Sequence, residues 1–275
     1  MFNSGTSSGV LNSVRSALSF FTQNSSLNLG NDPIVARCFK SFYKSRPTFP
    51  RYMVTWDVGQ VLRFLAQWHP PEDLSLKQLT LKTVALIALT SSDRAQTIHA
   101  LDIDHVHFLK KKGVEFVVPV LLKTSRRGKP AKKVLCVEWD APELDVSLYV
   151  DAYLRKTFKY RLRAVRRGGE KPTQFFLSHR NGKPVQRASI SRWIREVLML
   201  SGIDVTTFKA HSTRGASTSA AARLGASPEQ IMQHGDWSNL GTFEGYYNRE
   251  LIDTPVGRLI LSSSQCKCGN IFIYV

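Results

Sequence analysis

The chain has 275 residues, 43% of them apolar, enough for a sizeable core and too many for a disordered tail. Its net charge of +17 makes polyanions, nucleic acid first among them, the natural class of partner, with a merely soluble basic protein as the plain alternative. Four scattered cysteines exclude a disulfide framework, and no apolar run reaches the ~18 residues of a membrane span.

The N-terminal sequence has neither the basic start nor the apolar stretch of a secretory signal. Val10, Leu11, Val14, Leu18 and Phe21 recur at helical spacing, with Ser7 or Ser8 as cap. Ile34, Val35, Cys38, Phe39 and Phe42 form a second stripe, opened by Asp32-Pro33 and stopped by Arg46-Pro47. A third helix covers roughly 57–67, with Val58, Val61, Leu62 and Leu65 inward. His69-Pro70-Pro71-Glu72-Asp73 reads as a linker whose acids cap the next helix, and it divides the chain near residue 70. Residues 75–90 are apolar on most sides, which predicts a buried helix.

Residues 102–139 change period. Phe116, Val118 and Val120 alternate with Val117, Pro119 and Leu121, and Val134 to Val137 form another β-rich run. The basic, turn-rich stretch Lys123 to Pro130 lies between them, predicting a small antiparallel sheet with a hairpin. Helices return at about 143–159, 187–201 and 211–224, the last closed by Gly225. Ser227-Pro228-Glu229-Gln230 is a strong helix start, with a reciprocal Ser–Gln cap. Residues 235–241 read as a loop, 242–248 as helix, and the tail after Asp253 is apolar and irregular. The lone Cys266-Lys267-Cys268 lacks a second pair at zinc spacing, so no metal is expected.

The segment His211-Ser212-Thr213-Arg214 carries the chemistry. His-x-x-Arg on a helix puts an imidazole and a guanidinium on one face, and Tyr246-Tyr247 follow downstream. Attack on a phosphodiester by an alcohol needs charge neutralisation, removal of a proton from the nucleophile, protonation of the leaving oxygen and in-line alignment. Arginine forks onto phosphate and stays charged, lysine can give up a proton, and an indole N–H is a fixed donor. A tyrosine of ordinary pKa about 10 becomes a competent nucleophile among cations. Taken singly, Arg94 would read as a helix-end arginine, Lys123 as a solvated charge and Trp237 as a core aromatic.

In this order the residues resemble the motif of the tyrosine recombinases, the phage-integrase family. Arg94 resembles its first arginine, Lys123 its hairpin lysine, and His211 with Arg214 its box. Trp237 stands where the family carries His or Trp, with His234 as the alternative occupant. Tyr247 matches the nucleophile by the spacing of a eukaryotic branch found in DIRS-like mobile elements, Tyr246 by that of the bacterial branch; Tyr247 is preferred. The resemblance implies an α+β, mainly helical fold. A helical core-binding domain at 1–70, short for that role, would precede a catalytic domain at 71–250 and a tail at 251–275. The two domains would clamp duplex DNA, with no cofactor, ATP or metal. It also implies a homotetramer on paired DNA sites, no membrane and, for a eukaryotic host, the nucleus. Strand exchange is the activity implied; a DNA-binding relic without turnover and a type IB topoisomerase are the alternatives. One departure stands out: the family's acid three residues after the first arginine is Thr97 here. Arg126, Arg127, Lys129, Lys132 and Lys133 of the hairpin, and Arg161, Arg163, Arg166 and Arg167, are candidate phosphate contacts or a solvated basic surface.

Overall fold

Two helices form the first unit of the chain, Met1–Arg51: α1 (Ser8–Thr22) and α2 (Pro33–Ser45). Asp32 opens α2 by accepting from the backbone N–H groups of Ile34 and Val35 at 2.7 and 3.0 Å, and Pro33 loses nothing at a position whose N–H has no helical partner. Phe2 stacks on Phe42 at 4.2 Å, and the Arg46 guanidinium lies over the Phe2 ring while donating to the Phe2 carbonyl at 2.7 Å. The structure is a computed structural model that describes residues 1–22, 29–47, 52–123, 125–237, 241, 244–245 and 249–251.

The second unit, Tyr52–Val275, begins with β1 (Val54–Thr55) and α3 (Val58–Ala66). The third helix, grouped by sequence with the first 70 residues, lies in this unit, where Val61 and Leu65 join its core. The next helix, α4 (Leu76–Ser91), runs through the middle and is buried nearly all round. Its cap is Ser75 rather than the acids Glu72 and Asp73. The Ser75 hydroxyl accepts from the Gln78 N–H at 3.2 Å, and the Gln78 side chain accepts from the Ser75 N–H at 3.1 Å.

The short α5 (Ala95–His99) leads to β2 (Val106–Leu109), β3 (Gly113–Val117) and β4 (Lys133–Cys136). They form an antiparallel sheet with Val106 opposite Phe116 and Val114 opposite Cys136. Val114, Phe116, Val134 and Cys136 point inward with the strand period of two. The ladder stops sooner than the residue alternation predicts. Val118 still donates to the Lys132 carbonyl at 2.8 Å, but Pro119 has no N–H, and Val120 and Leu121 are exposed.

The chain continues through α6 (Val146–Arg166), α7 (Arg187–Leu200), α8 (Ser212–Arg223), α9 (Pro228–Gly235) and β5 (Glu250–Leu251), which pairs in parallel with β1. The result is α+β and mainly helical, with one small antiparallel sheet. Within α6, Arg161 departs from the expected basic surface. It is 3% exposed and donates to the carbonyls of Pro172, Gln174 and Phe175 at 2.5–2.8 Å. A buried irregular segment needs donors for its carbonyls, and this guanidinium supplies them. No helix among the described residues is long and apolar enough to cross a membrane.

Lys82 lies fully buried in the middle of α4. Its ammonium donates to the carbonyls of Leu65 and Trp68 at 2.7 Å each and sits 3.9 Å from the centre of the Tyr149 ring. Burial pushes its pKa from 10.5 down to about 7, with Glu143 pulling the other way. Between those two values the unfolded chain holds a proton that the folded chain has released, so stability rises with pH through that window. The stability difference between wild type and Lys82→Met should therefore grow in favour of wild type, by up to about 1.4 kcal/mol per pH unit from pH 7 to 9. Urea unfolding at each pH measures it; parallel pH profiles for the two proteins would contradict the buried, depressed lysine.

Candidate active site

The end of α4 sets the site. Ser92 adopts the left-handed conformation (φ 52°), which ends the helix and turns the chain through Asp93 to Arg94, the residue preceding α5. The hydroxyls of Ser92 and Ser217 share a hydrogen bond of 2.9 Å, so this turn is pinned directly to α8. His211 is the N-cap of α8 and Arg214 lies in its first turn. The Trp56 indole donates to the Ser212 hydroxyl at 2.9 Å and fixes the same turn from the other side. A helix N-terminus carries a positive partial charge and unpaired N–H groups, a favourable setting for an anion.

Arg94, His211 and Arg214 line one cavity of about 310 Å³, together with Asp93, Gln96 and Arg187. Arg94 and the His211–Arg214 pair, from distant parts of the chain, therefore share one space. His211 is exposed, Arg94 half-buried, and Arg214 only 2% exposed. Arg214 donates to the Gly235 carbonyl, and its guanidinium carbon is 4.0 Å from the centre of the Trp237 ring. Such stacking orients the planar fork and is worth about 0.5–2 kcal/mol.

Trp237 reaches Arg214 because α9 ends abruptly. Asp236 adopts the left-handed conformation (φ 54°), and the Trp237 N–H folds back to the Met232 carbonyl at 3.0 Å. A β-carbon on Gly235 would overlap the indole ring. Gly235→Ala should therefore displace Trp237 and cost about 1–3 kcal/mol of overpacking. That is a fall in thermal midpoint of about 2–4 °C per kcal/mol. An unchanged midpoint would show that the ring does not need that space.

The basic connection between β3 and β4 approaches this site through residues other than the predicted one. Lys123 is exposed in a turn and does not line the cavity. Lys132 lies 3.5 Å from the Asp93 carboxylate and Lys129 2.5 Å from that of Asp236, so two ion pairs tie the connection to the turns beside Arg94 and Trp237. Arg126 and Arg127 are exposed on the same connection. His234 is exposed and lines a neighbouring groove with Ser92 and Ser217. Tyr246 and Tyr247 lie outside the described residues, as do Cys266 and Cys268. The described residues nearest to the tyrosines are anchored: the Arg249 N–H donates to the Ser219 hydroxyl of α8 at 2.9 Å.

Asp93, Arg187 and Gln96 escaped the sequence reading. Asp93 carried a faint signal in its adjacency to Arg94; Arg187 and Gln96 carried none, being one arginine among many and a glutamine of no motif. The Asp93 side chain is 5% exposed, and burial raises its pKa against the opposing pull of Lys132, Arg214 and His234. No group of three or more potential metal ligands occurs among the described residues.

The architecture is similar to that of solved recombinases. XerA recombinase matches with a TM-score of 0.52 and 14% identity, covering 96% of this chain and 84% of that one. The Tn1549 transposon integrase in complex with transposon right end DNA matches with a TM-score of 0.55 and 14% identity, covering 96% and 82%. The fold is that of the tyrosine recombinases. XerH site-specific recombinase in a post-cleavage complex matches with a TM-score of 0.52 and 12% identity, covering 91% and 70%. At this level of identity the likeness to these proteins is one of fold. No protein-family model and no curated protein matches the chain.

Proposed function

We propose that the protein cuts and rejoins duplex DNA through a covalent 3′-phosphotyrosyl intermediate. The observation that carries this reading is the meeting of Arg94, His211 and Arg214 on one cavity at a helix N-terminus, in a chain of net charge +17. Two guanidinium groups neutralise the scissile phosphate, with bidentate bonds that a lone ammonium cannot make. His211 accepts the proton that the tyrosine gives up as it attacks, and Trp237 orients Arg214. The tyrosine oxygen attacks phosphorus, the bond to the 5′ oxygen breaks, and Lys123, exposed outside the cavity in the DNA-free chain, comes in with the β3–β4 connection to protonate that oxygen. Attack by a 5′ hydroxyl reverses the step and frees the tyrosine, so the phosphodiester energy is conserved throughout. The titles of the similar structures support the substrate class: XerH is bound to its difH substrate and the Tn1549 integrase to transposon-end DNA.

We further propose that Tyr247 is the nucleophile, that Arg126, Arg127 and Lys129 contact backbone phosphates, and that four copies act on paired sites. The spacing of Trp237 and Tyr247, which resembles that of a eukaryotic branch, supports a mobile-element origin and, for a eukaryotic host, action in the nucleus. A nicked suicide duplex, which loses a short 5′ fragment on cleavage, tests the core claim. Expected is a protein–DNA adduct that survives SDS. DNA binding without any adduct overturns the catalytic reading in favour of a DNA-binding relic. Relaxation of supercoiled DNA that lacks paired sites would mark a type IB topoisomerase.

A further inference from the structure

We infer that Asp93 is a positioning residue of this site, whose buried carboxylate sets the Arg214 guanidinium and the Lys132 ammonium for an incoming phosphate. The inference rests on the proposed phosphate chemistry and deepens it. A carboxylate on the wall of an anion cavity is an oddity, because it repels the ligand. Asp93 nevertheless lines the same cavity as Arg94, His211 and Arg214, with its side chain only 5% exposed. The surrounding charges explain its presence. Lys132 approaches from the β3–β4 connection to 3.5 Å, and the positive charges of Arg214 on α8 and His234 on α9 favour the ionised carboxylate against its burial.

Without Asp93, Lys132 and Arg214 would approach this turn from the β3–β4 connection and from α8 with no carboxylate for either to meet. Like charges so placed repel and spread. A buried anion at their centre lets them converge, provided its own desolvation is offset. The local backbone builds the carboxylate in. The Asp93 N–H donates to the Ser91 hydroxyl at 3.2 Å, and the left-handed Ser92 fixes the direction in which the next side chain leaves. The position three residues beyond Arg94, by contrast, is Thr97, a buried residue of α5 with no charge to offer.

The sign of one measurement separates positioning from simple charge. Removing a negative charge from the wall of an anion site should tighten anion binding by Coulomb's law alone. Positioning predicts the reverse. Orthovanadate titrated calorimetrically into the full chain should bind Asp93→Asn at least fivefold more weakly than wild type. On the suicide duplex, the single-turnover adduct rate of Asp93→Asn should fall at least tenfold while duplex affinity stays within about twofold. Asp93→Glu, which keeps the charge, should recover part of both losses. Equal or tighter vanadate binding by Asp93→Asn overturns the inference. If Asp93→Asn does not fold, Asp93→Glu decides: vanadate affinity equal to wild type, with the carboxylate moved by a methylene, also overturns it. A wild type that binds vanadate more tightly than the variant yet forms no adduct supports positioning and overturns strand cutting, so the two failures are distinct.

Discussion

Tyr247→Phe is expected to abolish the SDS-stable adduct while leaving duplex affinity within about twofold, and Tyr246→Phe is expected to retain the adduct. Phenylalanine keeps the ring and removes only the oxygen that would bond to phosphorus, so the loss should be complete rather than graded. The choice between neighbours rests on sequence spacing from Trp237. The opposite result, adduct lost in Tyr246→Phe and kept in Tyr247→Phe, would reassign the nucleophile. Adduct formed by both variants and by the double variant would remove tyrosine from the mechanism.

Arg214→Lys should lower the single-turnover adduct rate by about 10²–10³, equivalent to roughly 2.7–4 kcal/mol of transition-state stabilisation. Lysine conserves the charge but has no planar fork, so it can neither grip two phosphate oxygens nor stack flat under the Trp237 indole. Arg214→Ala should lose at least as much rate and some stability besides. Arg214 is 2% exposed, and removal of its guanidinium leaves the Gly235 carbonyl without that donor. Rates must therefore be compared between samples shown by thermal unfolding to be fully folded. A rate for Arg214→Lys within fivefold of wild type would mean that Arg214 is a structural arginine that merely borders the cavity.

The helices were legible in the residue order because each announces itself locally. Asp32-Pro33 and Ser227-Pro228 cap within three residues of themselves, and the apolar repeats of α3, α4 and α7 need no partner to be seen. His211 and Arg214 were legible for the same reason, since one helical turn brings them together. Elements that depend on distant partners were harder. The short β2 pairs with a strand four to ten residues away in register, and α5 is a single turn set between the end of α4 and the sheet, so neither has a pattern of its own.

Sequence by itself determined the class of the fold, the helices and the His-x-x-Arg pair, because propensity, capping and periodicity act over a few residues. Tertiary structure alone decided which charges face one another. It buried Arg161 among the carbonyls of 172–175 and set Lys132, rather than Lys123, against Asp93. It also turned Trp237 onto Arg214. The physical reason is that a charge is read by its surroundings. An arginine on the surface and an arginine in the core are the same letter, and only packing says which carboxylate, carbonyl or ring takes the place of water.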